Sequence, residues 1–102
     1  MPIHLSPHYQ KILRGIFVGD YEVILFGSRA KGTNRKFSDI DLCLKSEQKI
    51  QTSDIEDLKE RCSKSELPYL VDILDYHDIS PFFQETIDKT GIVFKRLKKE
   101  SV

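Results

Sequence analysis

The stretch Gly27-Ser28-Arg29-Ala30-Lys31-Gly32-Thr33-Asn34-Arg35-Lys36-Phe37-Ser38-Asp39-Ile40-Asp41-Leu42-Cys43-Leu44 carries a turn, a basic loop and an acidic strand in that order. The apolar run Val23-Ile24-Leu25-Phe26 before it reads as a strand covered on both faces. Gly27-Ser28 then opens a turn where that strand ends. Glycine lets backbone N–H groups approach a ligand closely, and a helical turn starting there would aim its positive end at that ligand. Ser28 adds a hydroxyl, and Arg29, Lys31, Arg35 and Lys36 add cations. The residue types suit a phosphate chain. Asp39 to Leu44 follows with strict alternation, so Ile40, Leu42 and Leu44 share one face and Asp39, Asp41 and Cys43 the other.

Working outward, Ser6 and Pro7 suit the cap and first position of a helix running to about Val18. Its apolar stripe is Tyr9, Ile12, Leu13, Ile16 and Phe17, and Gly19 would end it in a left-handed conformation. A second helix is expected over about Ser53 to Ser63, with Ser53 and Glu56 as a capping box and Ile55, Leu58 and Cys62 as a thin apolar stripe. Tyr69 to Leu74 reads as a strand. A third helix starts at Pro81 behind Ser80 and stops at Gly91, with Phe82, Phe83 and Ile87 read as core. Ile92 to Phe94 is a last short strand, and residues 96–102 a frayed tail. The order predicts an α/β (α+β) fold, a small mixed sheet of about four strands with helices packed on one face.

At 102 residues and 11.9 kDa the chain has room for one domain, expected over 1–102 with about 6–95 ordered. Lysine plus arginine and aspartate plus glutamate both total 16, so the net charge is zero. That balance speaks against a dedicated duplex-DNA binder, which carries a basic surplus. The halves are unequal, however. Residues 1–50 hold 8 basic and 5 acidic side chains, and residues 51–102 hold 8 and 11, so balances of +3 and −3 cancel. No apolar run is long enough to span a membrane, and the N-terminus lacks the pattern of a signal peptide. Cys43 and Cys62 show no metal-ligand spacing, and two reduced thiols fit a cytoplasmic protein.

Asp39 and Asp41 on one strand face stand about 6.5–7 Å apart along the backbone. Neighbouring carboxylates repel unless a cation sits between them, and magnesium favours a few carboxylates together with substrate phosphate oxygens. Asp72 interrupts the otherwise apolar Tyr69-Leu70-Val71-Asp72-Ile73-Leu74. A charge in a buried strand is costly without a partner. Placing Asp72 beside Asp39 and Asp41 would give three carboxylates facing a phosphate cradle, as in two-metal phosphoryl or nucleotidyl transfer. Asp75 is the rival, but three residues along a strand flips the face, and its strand-end place beside Tyr76 and His77 suggests solvent. His77 has no evident partner and reads as a surface residue. The Gly27–Gly32 spacing is not a P-loop, since Thr33-Asn34 follows where lysine and a hydroxyl residue are required.

Gly27-Ser28, then Ser38-Asp39-Ile40-Asp41, then Val71-Asp72-Ile73 resembles the nucleotidyltransferase superfamily that includes DNA polymerase beta. The wording GSRAKG…SDIDL and the brevity resemble its minimal (MNT-type) members, across residues 10–95 or so. The resemblance implies a magnesium-dependent nucleotidyltransferase moving a nucleoside monophosphate, AMP from ATP, to a protein or small-molecule acceptor. Asp39 and Asp41 would bind both metals, Asp72 would complete one site and favour the attacking hydroxyl, and Gly27 and Ser28 would hold the β- and γ-phosphates. It also implies a helical HEPN-type or substrate-binding partner in a toxin–antitoxin pair. Larger relatives carry an acceptor-binding helical domain, so a homodimer or hetero-oligomer is expected here. The rival reading is a non-catalytic antitoxin that occludes its partner.

Overall fold

The computed structural model describes residues 4–35 and 38–97. The elements are α1 (Pro7–Ile16), β1 (Glu22–Phe26), α2 (Ser28–Lys31), β2 (Ile40–Lys45), α3 (Thr52–Ser63), β3 (Val71–Asp75), a 3₁₀ turn (Tyr76–Asp78), α4 (Pro81–Thr90) and β4 (Ile92–Lys95). The strands form one sheet in the order β3-β2-β1-β4. β1 pairs antiparallel with both β2 and β4, and β2 pairs parallel with β3. The sheet is therefore mixed, as expected. The parallel pair needs a long crossover, which α3 supplies.

Alternation along β1 and β2 divides the side chains between two layers. Val23, Leu25, Ile40, Leu42 and Leu44 point to a main core closed by Leu13 of α1, by Phe17 just after it, and by Leu58 and Cys62 of α3. Each large apolar side chain buried there contributes about 1.5–3 kcal/mol. Ile24 and Cys43 face the other way and pack under Ile87 of α4, with Phe26, Tyr76, Ile79 and Phe83 at the margin. The helical layer is thus not confined to one face. α1 and α3 cover the main core, while α4 covers part of the opposite face, because Ile24 and Cys43 are as apolar as their neighbours and need their own cover.

Ser6 caps α1 by accepting from Tyr9 N–H, and Ser80 caps α4 by accepting from Phe83 N–H. α1 stops at Ile16, earlier than the stripe suggested, with Phe17 as its cap. Gly19 does not adopt the left-handed conformation; it makes room for the Tyr21 ring, which a Cβ there would overlap. The Ser53–Glu56 capping box does not form. α3 begins at Thr52 behind Gln51, and no side chain caps it. The approach to α3 is set instead by Asp75, whose Oδ2 accepts from Ile50 N–H at 2.8 Å. Among the described residues no helix is long and apolar enough to cross a membrane.

Candidate active site

Strand register brings two of the three expected carboxylates, Asp41 and Asp72, side by side. Asp41 of β2 lies opposite Phe26 of β1 and opposite Asp72 of β3. These three residues form one row across the sheet, on the face that α4 covers only in part. Asp39 precedes β2 by one residue and is exposed. β3 is a sheet edge, so Asp72 is exposed rather than buried as the apolar run suggested, and solvation removes the expected conflict.

The Asp41 carboxyl titrates above the ordinary aspartate range. Burial is the largest cause, followed by the negative charges of Asp72 and Asp39. Asp72 and Asp39 thus add negative charge around a half-buried Asp41, which a cation there would offset.

Gly27 is held at φ 79° and ψ −152°, a backbone state that side-chain-bearing residues rarely adopt. A Cβ there would stand 2.5 Å from Asp41 Oδ2. The turn and the central carboxylate therefore touch only because residue 27 is glycine. α2 follows, closed by Ala30 and Lys31 N–H donating to the Gly27 carbonyl and ended by Gly32 in the left-handed conformation. Ser28 is half-buried at the start of α2, and Lys31 and Arg35 are exposed. Lys36 lies outside the described residues.

Arg29 does not face the site. It is 3% exposed, and its guanidinium donates to the carbonyls of Ser38 and His4 while stacking on the Tyr69 ring at 4.2 Å. The expectation of a phosphate contact from Arg29 is corrected: its side chain turns into the main core layer. Asp75 is corrected likewise. It is 3% exposed, not solvated, and accepts from the N–H groups of Ile50 and His77. It lies three residues past Asp72 on the opposite face, so the choice of Asp72 over Asp75 for the acidic row agrees with the register. His77 is exposed, with Nε2 2.7 Å from the Ser46 carbonyl.

Beside Asp41, Phe26 meets Phe83 edge to face, with ring centroids 5.7 Å apart. Phe82, read as core, is 79% exposed on the first turn of α4. A cleft of about 800 Å³ opens at the other end of the sheet, lined by Tyr21, Gln48, Asp54 and Arg61 among others. Cavity volume and carboxylate chemistry thus mark different ends of the molecule.

The family described as "Polymerase beta, Nucleotidyltransferase" matches residues 21–100. The chain belongs to this nucleotidyltransferase family. It is 43% identical over 82 residues to the probable protein adenylyltransferase MntA of Haemophilus influenzae, covering 80% of this chain and 72% of that one. Its fold is similar to a toxin–antitoxin structure with AMP-PNP, at TM-score 0.71 and 22% identity over 89% of this chain and 74% of that one. It is also similar to an MNT antitoxin in complex with a tri-AMPylated HEPN toxin from Shewanella oneidensis. There the TM-score is 0.60 and the identity 20%, over 87% of this chain and 67% of that one.

A nucleotidyltransferase of this family implies a triphosphate and a divalent metal. Carboxylate oxygens suit magnesium, and a cation beside Asp41 would offset the burial and the neighbouring charges of Asp72 and Asp39 that raise its pKa. Among the described residues, no group of three or more His, Cys, Asp or Glu side chains is placed to hold a metal ion by itself. Magnesium rarely asks for one, since one or two carboxylates and substrate phosphates complete its shell. The residues fit.

Proposed function

We propose that the chain transfers AMP from ATP to a helical HEPN-type partner protein, with magnesium, as the antitoxin half of a toxin–antitoxin pair. The supporting observation is the row Asp41–Asp72 set against the Gly27 turn, where Gly27 has no room for a side chain beside Asp41. The similarity to a protein adenylyltransferase and to toxin–antitoxin complexes supports AMP and the HEPN partner.

In this reading Asp39, Asp41 and Asp72 would hold the metal ions, whose charge would offset that of the phosphate oxygens. Gly27 and Ser28 hold the β- and γ-phosphates, and Lys31, Arg35 and Lys36 add positive charge around them. The acceptor hydroxyl gives up its proton with help from Asp72. Its oxygen bonds to the α-phosphorus, the bond to the bridging oxygen breaks, and pyrophosphate leaves. The protein supplies position and charge neutralisation. Residues 1–102 act as one transferase domain in a hetero-oligomer whose partner supplies the acceptor. Two buried free thiols, Cys43 and Cys62, support a cytoplasmic setting.

Calorimetry with ATP tests the nucleotide half of this reading. Binding that requires magnesium is expected. Absence of magnesium-dependent binding contradicts it.

A further inference from the structure

Arg29 is a buried cation with no ion-pair partner among the described carboxylates. A guanidinium in that position carries a large desolvation cost, and an apolar residue of similar size would often serve stability as well or better. Its retention calls for another reason, which lies in what it connects. Nε and Nη2 both donate to the Ser38 carbonyl, at 3.2 and 2.9 Å, and Nη1 donates to the His4 carbonyl at 3.0 Å. Tyr69 fixes the plane of the fork from one side. Ser38 also closes the loop on itself. Its Oγ accepts from Arg35 N–H at 2.7 Å, and its N–H donates to the Arg35 carbonyl at 3.1 Å.

Arg29 follows Ser28 directly, and Ser38 precedes Asp39 directly. One planar side chain therefore ties the end of the phosphate turn to the start of the carboxylate strand. A metal–triphosphate complex must touch both at once, and a misplacement of about 1 Å costs on the order of 100-fold in rate. We propose that Arg29 is a positioning residue that sets the spacing between Gly27-Ser28 and Asp39/Asp41, through its forked hold on the Ser38 carbonyl. The assignment rests on the nucleotidyl-transfer reading. Lysine cannot replace the fork, because an ammonium presents a point charge without the planar pair of donors.

The test is the coupling between magnesium and ATP, measured calorimetrically as the ATP dissociation constant with and without magnesium. The proteins are the wild type, Arg29→Lys, Arg29→Met and Tyr69→Leu, each confirmed folded by circular dichroism. In the wild type, magnesium tightens ATP binding. Arg29→Lys and Arg29→Met are expected to lose that tightening by about tenfold or more, while metal-free ATP, held by the turn alone, binds nearly as before. Tyr69→Leu keeps the arginine but frees its plane, and is expected to lose a smaller part. It decides the matter if an Arg29 variant does not fold. Wild-type coupling in the folded variants overturns the assignment and leaves a purely structural arginine. Wild-type coupling in Arg29→Lys alone also overturns it, since charge would then suffice. A wild type without magnesium-dependent binding overturns the transfer reading itself, and the assignment with it.

Discussion

Asp41 and Asp72 occupy opposing positions in the parallel β2–β3 ladder, and burial together with the negative charge of Asp72 disfavours ionisation of Asp41. This pairing is costly to the fold and useful to a cation site, a trade-off common where function sets the residue. Asp41→Asn is therefore expected to leave the protein folded and to raise its melting temperature at neutral pH by a few degrees. The same variant should abolish AMP transfer. Differential scanning calorimetry and a transfer assay on one preparation check both outcomes.

The pH dependence follows from the same relationship. The folded-state pKa of Asp41 is raised, so its contribution to stability is present in acid and is lost as pH rises through that value. Asp72→Asn removes one of the two repelling charges. A carboxyl-detected NMR titration should place the Asp41 pKa of this variant below that of the wild type. An unchanged value would mean that burial and Asp39 set it without Asp72.

Gly27 and Gly15 make opposite predictions from one substitution. Gly27→Ala forces a Cβ into a positive-φ position against the Asp41 carboxylate. It should cost about 1–2 kcal/mol of stability and at least tenfold in magnesium–ATP affinity. A Cβ at Gly15, inside α1, meets nothing within 4 Å. Gly15→Ala should stabilise by about 0.5–1 kcal/mol and leave affinity unchanged. Denaturant melts and calorimetry on both variants decide.

Asp75→Asn separates the two rival carboxylates of β3. Asp75 is buried and accepts two backbone N–H groups, so its replacement should cost about 1–3 kcal/mol. Magnesium-dependent ATP binding should survive in the folded fraction. Asp72→Asn should show the reverse, with stability kept and magnesium dependence lost.

Much of this arrangement was legible along the chain. Strand alternation around Asp41 and the serine caps of α1 and α4 are local patterns, and the structure keeps them. The Gly27 turn and the acidic strand were readable because a glycine closing an apolar run and alternating aspartates are local patterns. Arg29 was misread because His4 and Tyr69 are distant in sequence, and an arginine next to a Gly-Ser turn and two residues before Lys31 looks like a phosphate contact. Asp75 was misread for a similar reason. Its burial depends on the loop before α3 folding back to present Ile50 N–H, which no local spacing announces.

The central claim is that this acidic row transfers AMP to a protein partner. The most direct test is the intact mass of a HEPN-type partner after incubation with the chain, ATP and magnesium. The account predicts a gain of one or more AMP units, absent when Asp39→Asn or Asp41→Asn replaces the wild type. A partner that is silenced with no change in mass would contradict it and leave occlusion as the mode of action.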